Sequence, residues 1–251
     1  MSSYNGLAQV YDQFTGDVDY SRWLNWYQTS FRREKEPVEL VLDLGCGTGT
    51  LTCLLAGLGY EMIGVDLSEE MLSQAMDKAY ELELEKMPLF LSQSMAKLRL
   101  FGQVDACVCS LDSLNYLTRR RELESTLSRV AQYLKPGGLF LFDVIPPWEF
   151  ARRDGEVFVD ESEQALVLWR ASYRKQSQII TYGLDLFHTQ DGLRWTREQE
   201  EHRERGWEPE LLECLLRERG FSQIRIYGSD RKSAPSQSDD RLFFVARRAV
   251  D

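Results

Sequence analysis

Histidine is scarce in this chain of 251 residues: only His188 and His202 occur, and the five cysteines include no C-x-x-C pair. Closely spaced soft ligands for zinc or an iron–sulfur cluster are therefore missing, and no metal site is expected. Cys46, Cys53, Cys107, Cys109 and Cys214 are odd in number and lie in or beside apolar segments, so they read as small packing residues rather than a disulfide framework. No apolar run approaches the length that crosses a bilayer, and Met1-Ser2-Ser3-Tyr4-Asn5-Gly6 lacks the basic and apolar regions of a signal peptide. A cytoplasmic chain with no membrane partner is the expectation. Positive charge is also short, with 30 Lys and Arg against 40 Asp and Glu and a net charge of −10. Nucleic-acid affinity rests on clustered cations, so this balance disfavours a nucleic-acid partner. The short basic clusters Arg119-Arg120-Arg121, Arg152-Arg153 and Arg247-Arg248 read as solvated surface.

What is present is ample material for a core, at 43% hydrophobic residues, and one organising stretch: Val41-Leu42-Asp43-Leu44-Gly45-Cys46-Gly47-Thr48-Gly49-Thr50. An apolar run from Val38 to Leu42 reads as a buried strand, three glycines follow at alternate positions, and Leu51, Leu54, Leu55 and Leu58 then recur at helical spacing. Glycine lets the backbone turn sharply and approach a ligand, and the open N–H groups of the next helix face it. The pyrophosphate-binding order G-x-G-x-x-G is absent. Here the order is G-x-G-x-G, preceded by the acid Asp43, which would repel a diphosphate and welcome an ammonium. Nineteen residues beyond Gly47, Asp66 ends the apolar strand Glu61-Met62-Ile63-Gly64-Val65, where an acid can accept both hydroxyls of a ribose.

These residues resemble motif I and the acidic strand-two tip of the class I S-adenosylmethionine-dependent methyltransferases. The resemblance implies a Rossmann-like α/β fold with a seven-stranded sheet, S-adenosyl-L-methionine as cofactor and S-adenosyl-L-homocysteine as product. Strands are expected at 38–43, 60–66, 88–92, 104–109 and 138–144, with helices at 49–58, 69–84 and 119–134, the second opening on the capping pattern Ser68-Glu69-Glu70-Met71. Such a sheet binds ligands at the carboxyl ends of its strands. Cofactor-binding candidates are accordingly Tyr11, Asp43, Gly45, Cys46, Gly47, Asp66, Leu67, Gln93, Ser94, Met95 and Leu111. Ser94 stands where many relatives carry an acid for the adenine amino group, and a serine oxygen accepts that bond more weakly. Leu134-Lys135-Pro136-Gly137-Gly138 is a second family-like signature, a tight turn at the sheet end opposite the ligand.

After the fourth strand the Asn/Asp-Pro-Pro-Tyr/Phe tetrapeptide of amine-directed DNA methyltransferases is absent. Leu111-Asp112-Ser113-Leu114-Asn115-Tyr116 stands there instead and resembles a group of small bacterial methyltransferases related to sugar-amine and glycine N-methyltransferases. Asp112 and Tyr116 are the candidates for the acceptor side, while Ser113 and Asn115 also suit a polar turn. An aromatic-rich start, including Tyr11, Phe14, Tyr20, Trp23, Trp26, Tyr27 and Phe31, reads as two short helices broken at Thr15-Gly16-Asp17, a cap over the cofactor. Tyr20 or Trp23 could wall the sulfonium by cation–π contact, or these rings simply hold the cap to the sheet.

Between Pro146 and Gly206 lie β signals: Glu156–Val159, Ala165–Trp169, Ile179–Phe187, a hairpin at Asp191-Gly192 and Leu193–Trp195. They read as an antiparallel lid inserted after strand five and closing the acceptor pocket. It ends in Glu200-Glu201-His202-Arg203-Glu204-Arg205-Gly206-Trp207, which resembles a Glu-Glu-His-x-x-Arg-x-aromatic segment of the same bacterial group. His202 is the third catalytic candidate, able to hold or deprotonate an acceptor ammonium, and Arg205 suits an acidic group on the substrate. A helix from 208 to 219, strands at 222–227 and 241–247, and Arg241 with no assigned role complete the chain. The expected organisation is a cap at 1–36, a cofactor-binding core at 37–145, the lid at 146–206 and the rest of the core sheet at 207–251. The expected activity is methyl transfer to a nitrogen or oxygen of a small-molecule acceptor, by a monomer or homodimer. An RNA-directed methyltransferase and a catalytically silent binding partner on the same fold are the alternatives.

Overall fold

The computed structural model describes residues 11–14, 18–189 and 191–250. Residues 1–10 and the Thr15-Gly16-Asp17 break of the expected cap at 1–36 lie outside them. The cap is represented by α1 (Tyr11–Phe14) and α2 (Tyr20–Phe31). The second is started by Asp19, whose carboxylate accepts the Arg22 N–H.

A seven-stranded sheet follows, in the order β10-β11-β5-β4-β1-β2-β3. Its strands are β1 (Leu40–Leu44), β2 (Glu61–Asp66), β3 (Leu89–Ser92), β4 (Val104–Cys109), β5 (Leu134–Val144), β10 (Phe221–Tyr227) and β11 (Leu242–Arg248). The first five pair in parallel, and β11 runs antiparallel between β5 and β10. Helices α3 (Thr50–Gly57), α4 (Glu69–Glu81), α5 (Arg120–Tyr133) and α7 (Pro209–Glu218) cover the faces. Ser68 caps α4 by accepting the Met71 N–H, as its sequence pattern implies. Successive β1 residues feed two cores: Leu42 and Leu44 join Leu123, Leu127, Leu212 and Leu216 on one face, and Val41 meets Tyr27, Phe31 and Leu55 on the other. Burying each such side chain contributes roughly 1.5–3 kcal/mol. Cys53, Cys107 and Cys109 are buried in these layers as apolar filler.

The expected break at Pro136-Gly137-Gly138 lies inside β5, which begins at Leu134 rather than at 138. Gly137 takes a φ of +84° there and the pairing with β4 slips between Val104 and Ala106, so the turn is a bulge within the strand.

The inserted segment holds α6 (Pro147–Arg152) and a separate antiparallel sheet, β6 (Val157–Glu161), β7 (Ala165–Arg174), β8 (Ile179–His188) and β9 (Thr196–Arg205), paired in chain order. Leu193–Trp195, expected as strand, is instead part of the β8–β9 connection, where Asp191 accepts the N–H groups of Leu193 and Arg194. Val167, Tyr182 and Leu184 of this second sheet pack with Ile145 and Phe150, and Tyr11 and Phe14 of α1 pack against the same cluster. Among the described residues no helix is long and apolar enough to cross a membrane.

Candidate active site

The carboxyl ends of β1 to β4 open into one cavity of about 560 Å³. The glycine turn forms its floor. Gly45, Gly47 and Gly49 have φ of +78°, +53° and +72°, conformations that disfavour a side chain. Gly45 and Cys46 both donate their N–H to the Val65 carbonyl, at 2.7 and 3.0 Å, which pins the turn to β2. A methyl added at Gly45 would stand 2.6 Å from Met95 Cε and 2.8 Å from Ser113 Cβ, whereas one at Gly47 would meet nothing within 4 Å. The turn is thus packed on one side and open on the other.

Two acids flank it. Asp66 accepts the Gly47 N–H at 3.0 Å through Oδ2 and the Ser68 N–H at 2.9 Å through Oδ1, leaving further lone pairs on both oxygens. Asp43, buried at the end of β1, accepts the Thr52 hydroxyl at 2.5 Å. Burial pushes its carboxyl up to about 6.

All eleven cofactor-binding candidates line this cavity, and so do Asp112 and Tyr116. Gln93 does so with its side-chain amide engaged elsewhere, since it donates to and accepts from the Arg99 backbone. Tyr11 enters from α1, its phenol pushed up by burial and by Asp112. The helix is latched over the glycine turn by Asp12, which accepts the Thr48 hydroxyl at 2.6 Å and pairs with Lys78 at 2.7 Å. Tyr20 also lines the cavity, but Trp23 is buried outside it among Trp26, Tyr27 and Phe243.

His202 does not line the cavity. It is 2% exposed, bonds Glu200 Oε2 at 2.9 Å and meets Tyr116 edge-on at 6.2 Å, one layer behind the wall. Arg205 stacks on Trp207 at 4.2 Å and donates to the Thr118 carbonyl, so its guanidinium also serves the wall. Asn115 is a fastener: its amide donates to the carbonyls of Ile145 and Arg205 and accepts the Ile145 N–H, tying the β4 loop to both roots of the inserted segment.

Three residues that sequence reasoning left without a role complete the site. Leu111 and Asp112 both adopt φ of +54°, costly for side-chain-bearing residues, and this directs the Asp112 N–H to Asp143 at 2.9 Å. Arg241 bridges the Asp112 carboxylate, at 2.7 Å, and the Asp143 carboxylate. Glu204, on the inward face of β9, meets Asp112 carboxyl to carboxyl, and burial together with that neighbour raises it well above the usual range. Among the described residues, Asp143 Oδ1 and Glu204 Oε2 are buried with no hydrogen-bond partner. Among the described residues, the charged ones that line the cavity are Asp43, Asp66, Asp112, Glu122 and Arg241. Four carboxylates against one guanidinium give a site suited to cations.

A family profile described as a methyltransferase domain matches residues 41–138, the span from β1 into β5. YqeM of Bacillus subtilis (strain 168), named as a methyltransferase without a stated acceptor, is 34% identical over 98% of this chain and 97% of its own length. An S-adenosylmethionine-dependent methyltransferase from Clostridium acetobutylicum ATCC 824 superposes with a TM-score of 0.87 at 26% identity, covering 98% of this chain and 99% of the other. A Streptomyces venezuelae enzyme named as a dTDP-3-amino-3,4,6-trideoxy-alpha-D-glucopyranose N,N-dimethyltransferase is 30% identical over 61% of this chain and 62% of its length.

Proposed function

The chain belongs to the class I S-adenosylmethionine-dependent methyltransferases, and from that premise we propose that its acceptor is the amine nitrogen of a small molecule. The observation that carries this reading is the acid Asp112 on the acceptor side of the cavity, with the buried Asp143 and Glu204 carboxyls behind it and Arg241 as the guanidinium that faces them among the described lining residues. The Streptomyces venezuelae enzyme named for a dTDP-amino-sugar agrees with it.

The residues present fit the cofactor. Asp43 would hold the ammonium of its amino-acid end, the open face at Gly47 admits its close approach, Asp66 retains lone pairs for ribose hydroxyls, and Ser94 and Met95 border the adenine position. S-adenosylmethionine supplies a methyl on a sulfonium, activated toward displacement, so most of the acceleration required of the chain is alignment and exclusion of water.

The remaining chemistry is protonic. An amine near neutral pH arrives as an ammonium and must lose a proton before its lone pair can attack. Asp112 is placed to accept an N–H of that ammonium, while Arg241 and the backbone at Leu111 and Asp112 fix its direction. Burial and the neighbouring Asp112 hold the Glu204 carboxyl well above the ordinary range, so the Asp112–Glu204 pair is suited to take up the proton that the ammonium loses. Tyr116 walls the acceptor side, with His202 and Glu200 holding the wall from behind.

The test is transfer of labelled methyl groups from S-adenosylmethionine to matched small amines, their hydroxyl counterparts and bulk RNA. Label on the amines, lost in Asp112→Asn, supports the reading. Label confined to hydroxyl compounds or RNA contradicts it.

A further inference from the structure

On the α2 face of the sheet, away from the cavity, a groove of about 780 Å³ runs between α2 and the strands β10 and β11. Among the described residues it collects six cations, Arg22, Arg33, Arg225, Arg231, Lys232 and Arg247, in a chain whose net charge is −10. The carboxylates that line it offset two of these charges and leave a surplus of four: Glu34 pairs with Arg247, and Asp230, held by Ser233 and the Lys232 N–H, interacts with the Lys232 ammonium. Arg22, Arg33, Arg225 and Arg231 make no ion pair among the described residues. Arg231 is the most demanding of them. Its backbone holds a φ of +60°, and its guanidinium is wedged against Phe243 at 4.4 Å and Trp23 at 4.6 Å. Its Nε is buried without a hydrogen-bond partner. Like charges gathered in one groove repel one another, and a partly desolvated guanidinium lacking an anion is costly.

We propose that this groove is a second binding site, for a compact polyphosphate-bearing small molecule of the nucleoside diphosphate or triphosphate class. The twelve residues of α2 give it a wall about 18 Å long, enough for several phosphates and a heterocycle. Trp26 and Tyr227 line it and offer flat rings for stacking. A long polyanion is disfavoured, because it would leave the groove and run over a surface that is strongly negative elsewhere. Occupancy of this groove does not depend on the identity of the methyl acceptor.

The experiment is calorimetric titration of the full chain, saturated with S-adenosylhomocysteine to close the adenosine site, using ADP, inorganic tripolyphosphate, adenosine and a long single-stranded RNA as probes. ADP is expected to bind, tripolyphosphate to displace it and adenosine to give no signal. Arg225→Glu combined with Lys232→Glu should weaken ADP by about tenfold or more while leaving S-adenosylhomocysteine affinity unchanged. Absence of ADP binding, equal ADP affinity in the double variant, failure of tripolyphosphate to displace ADP, or RNA binding tighter than ADP would each overturn the proposal.

Discussion

Arg241 places one amino group 2.7 Å from the Asp112 carboxylate and the other on Asp143, so a single half-buried guanidinium from the approach to β11 holds the acceptor-side acid in place. Removing it should leave two carboxylates facing each other without a counter-charge. Arg241→Met is expected to lose about 3–5 kcal/mol of stability in urea unfolding. The loss should be larger at pH 8 than at pH 5, since the Asp143 carboxyl lies at about 6 and is largely neutral at the lower pH. Adding Asp143→Leu to Arg241→Met should recover part of it. An unchanged midpoint in the single variant would show the bridge to be energetically idle.

Asp43 links stability to binding with opposite signs. Its carboxyl is held at about 6 in the folded chain, above its ordinary value of 3.8. Between those values the folded state keeps a proton that the unfolded state has released, so stability falls as pH rises from about 4 to 6. The full difference amounts to at most about 3 kcal/mol. Asp43→Asn should therefore unfold at higher urea than the parent at pH 8, with the gap closing toward pH 4, while its affinity for S-adenosylmethionine drops. Parallel stability–pH curves for the two proteins would contradict the assignment.

The two sides of the glycine turn separate stability from binding. At Gly45 an added methyl meets Met95 and Ser113, so Gly45→Ala should lose about 2 kcal/mol of stability as well as the cofactor. At Gly47 the space is open and only the left-handed backbone resists, at about 1 kcal/mol. Gly47→Ala should consequently stay folded yet bind S-adenosylmethionine about tenfold more weakly or worse. Thermal unfolding paired with calorimetry distinguishes the two variants.

Acceptor binding should release a proton. Burial and Asp112 raise the Glu204 carboxyl well above the ordinary range, and a bound ammonium opposes that shift. Titrating an amine into the S-adenosylhomocysteine complex in buffers of different ionisation enthalpy should show proton release, so affinity rises with pH until the amine itself neutralises. Glu204→Gln should abolish the release while leaving binding measurable. Equal proton counts in both proteins would remove Glu204 from the account.

Much of this site is legible in the sequence because strand ends in a parallel sheet announce themselves. Asp43, Asp66, Gln93 and Leu111 each follow an apolar run, and all four line the cavity. Arg241, Asp143 and Glu204 were not legible as site residues, because their meeting depends on how β5, β9 and β11 are placed in space. One signal was available. Glu200, His202 and Glu204 alternate with Glu201, Arg203 and Arg205, and a strand of period two puts the first set on one face. His202 on its own does not reveal that the residue two positions on, Glu204, meets Asp112. The β5 bulge was obscured for a different reason, since Pro-Gly-Gly specifies a bend but not whether pairing continues through it.

The most direct test of the central claim is diffraction from the chain bound to S-adenosylhomocysteine. The product's amino group is expected on Asp43 and its ribose on Asp66, with the space beyond the sulfur ending at Asp112 and Tyr116. Product seated elsewhere, or space beyond the sulfur lined by cations instead of these groups, would contradict it.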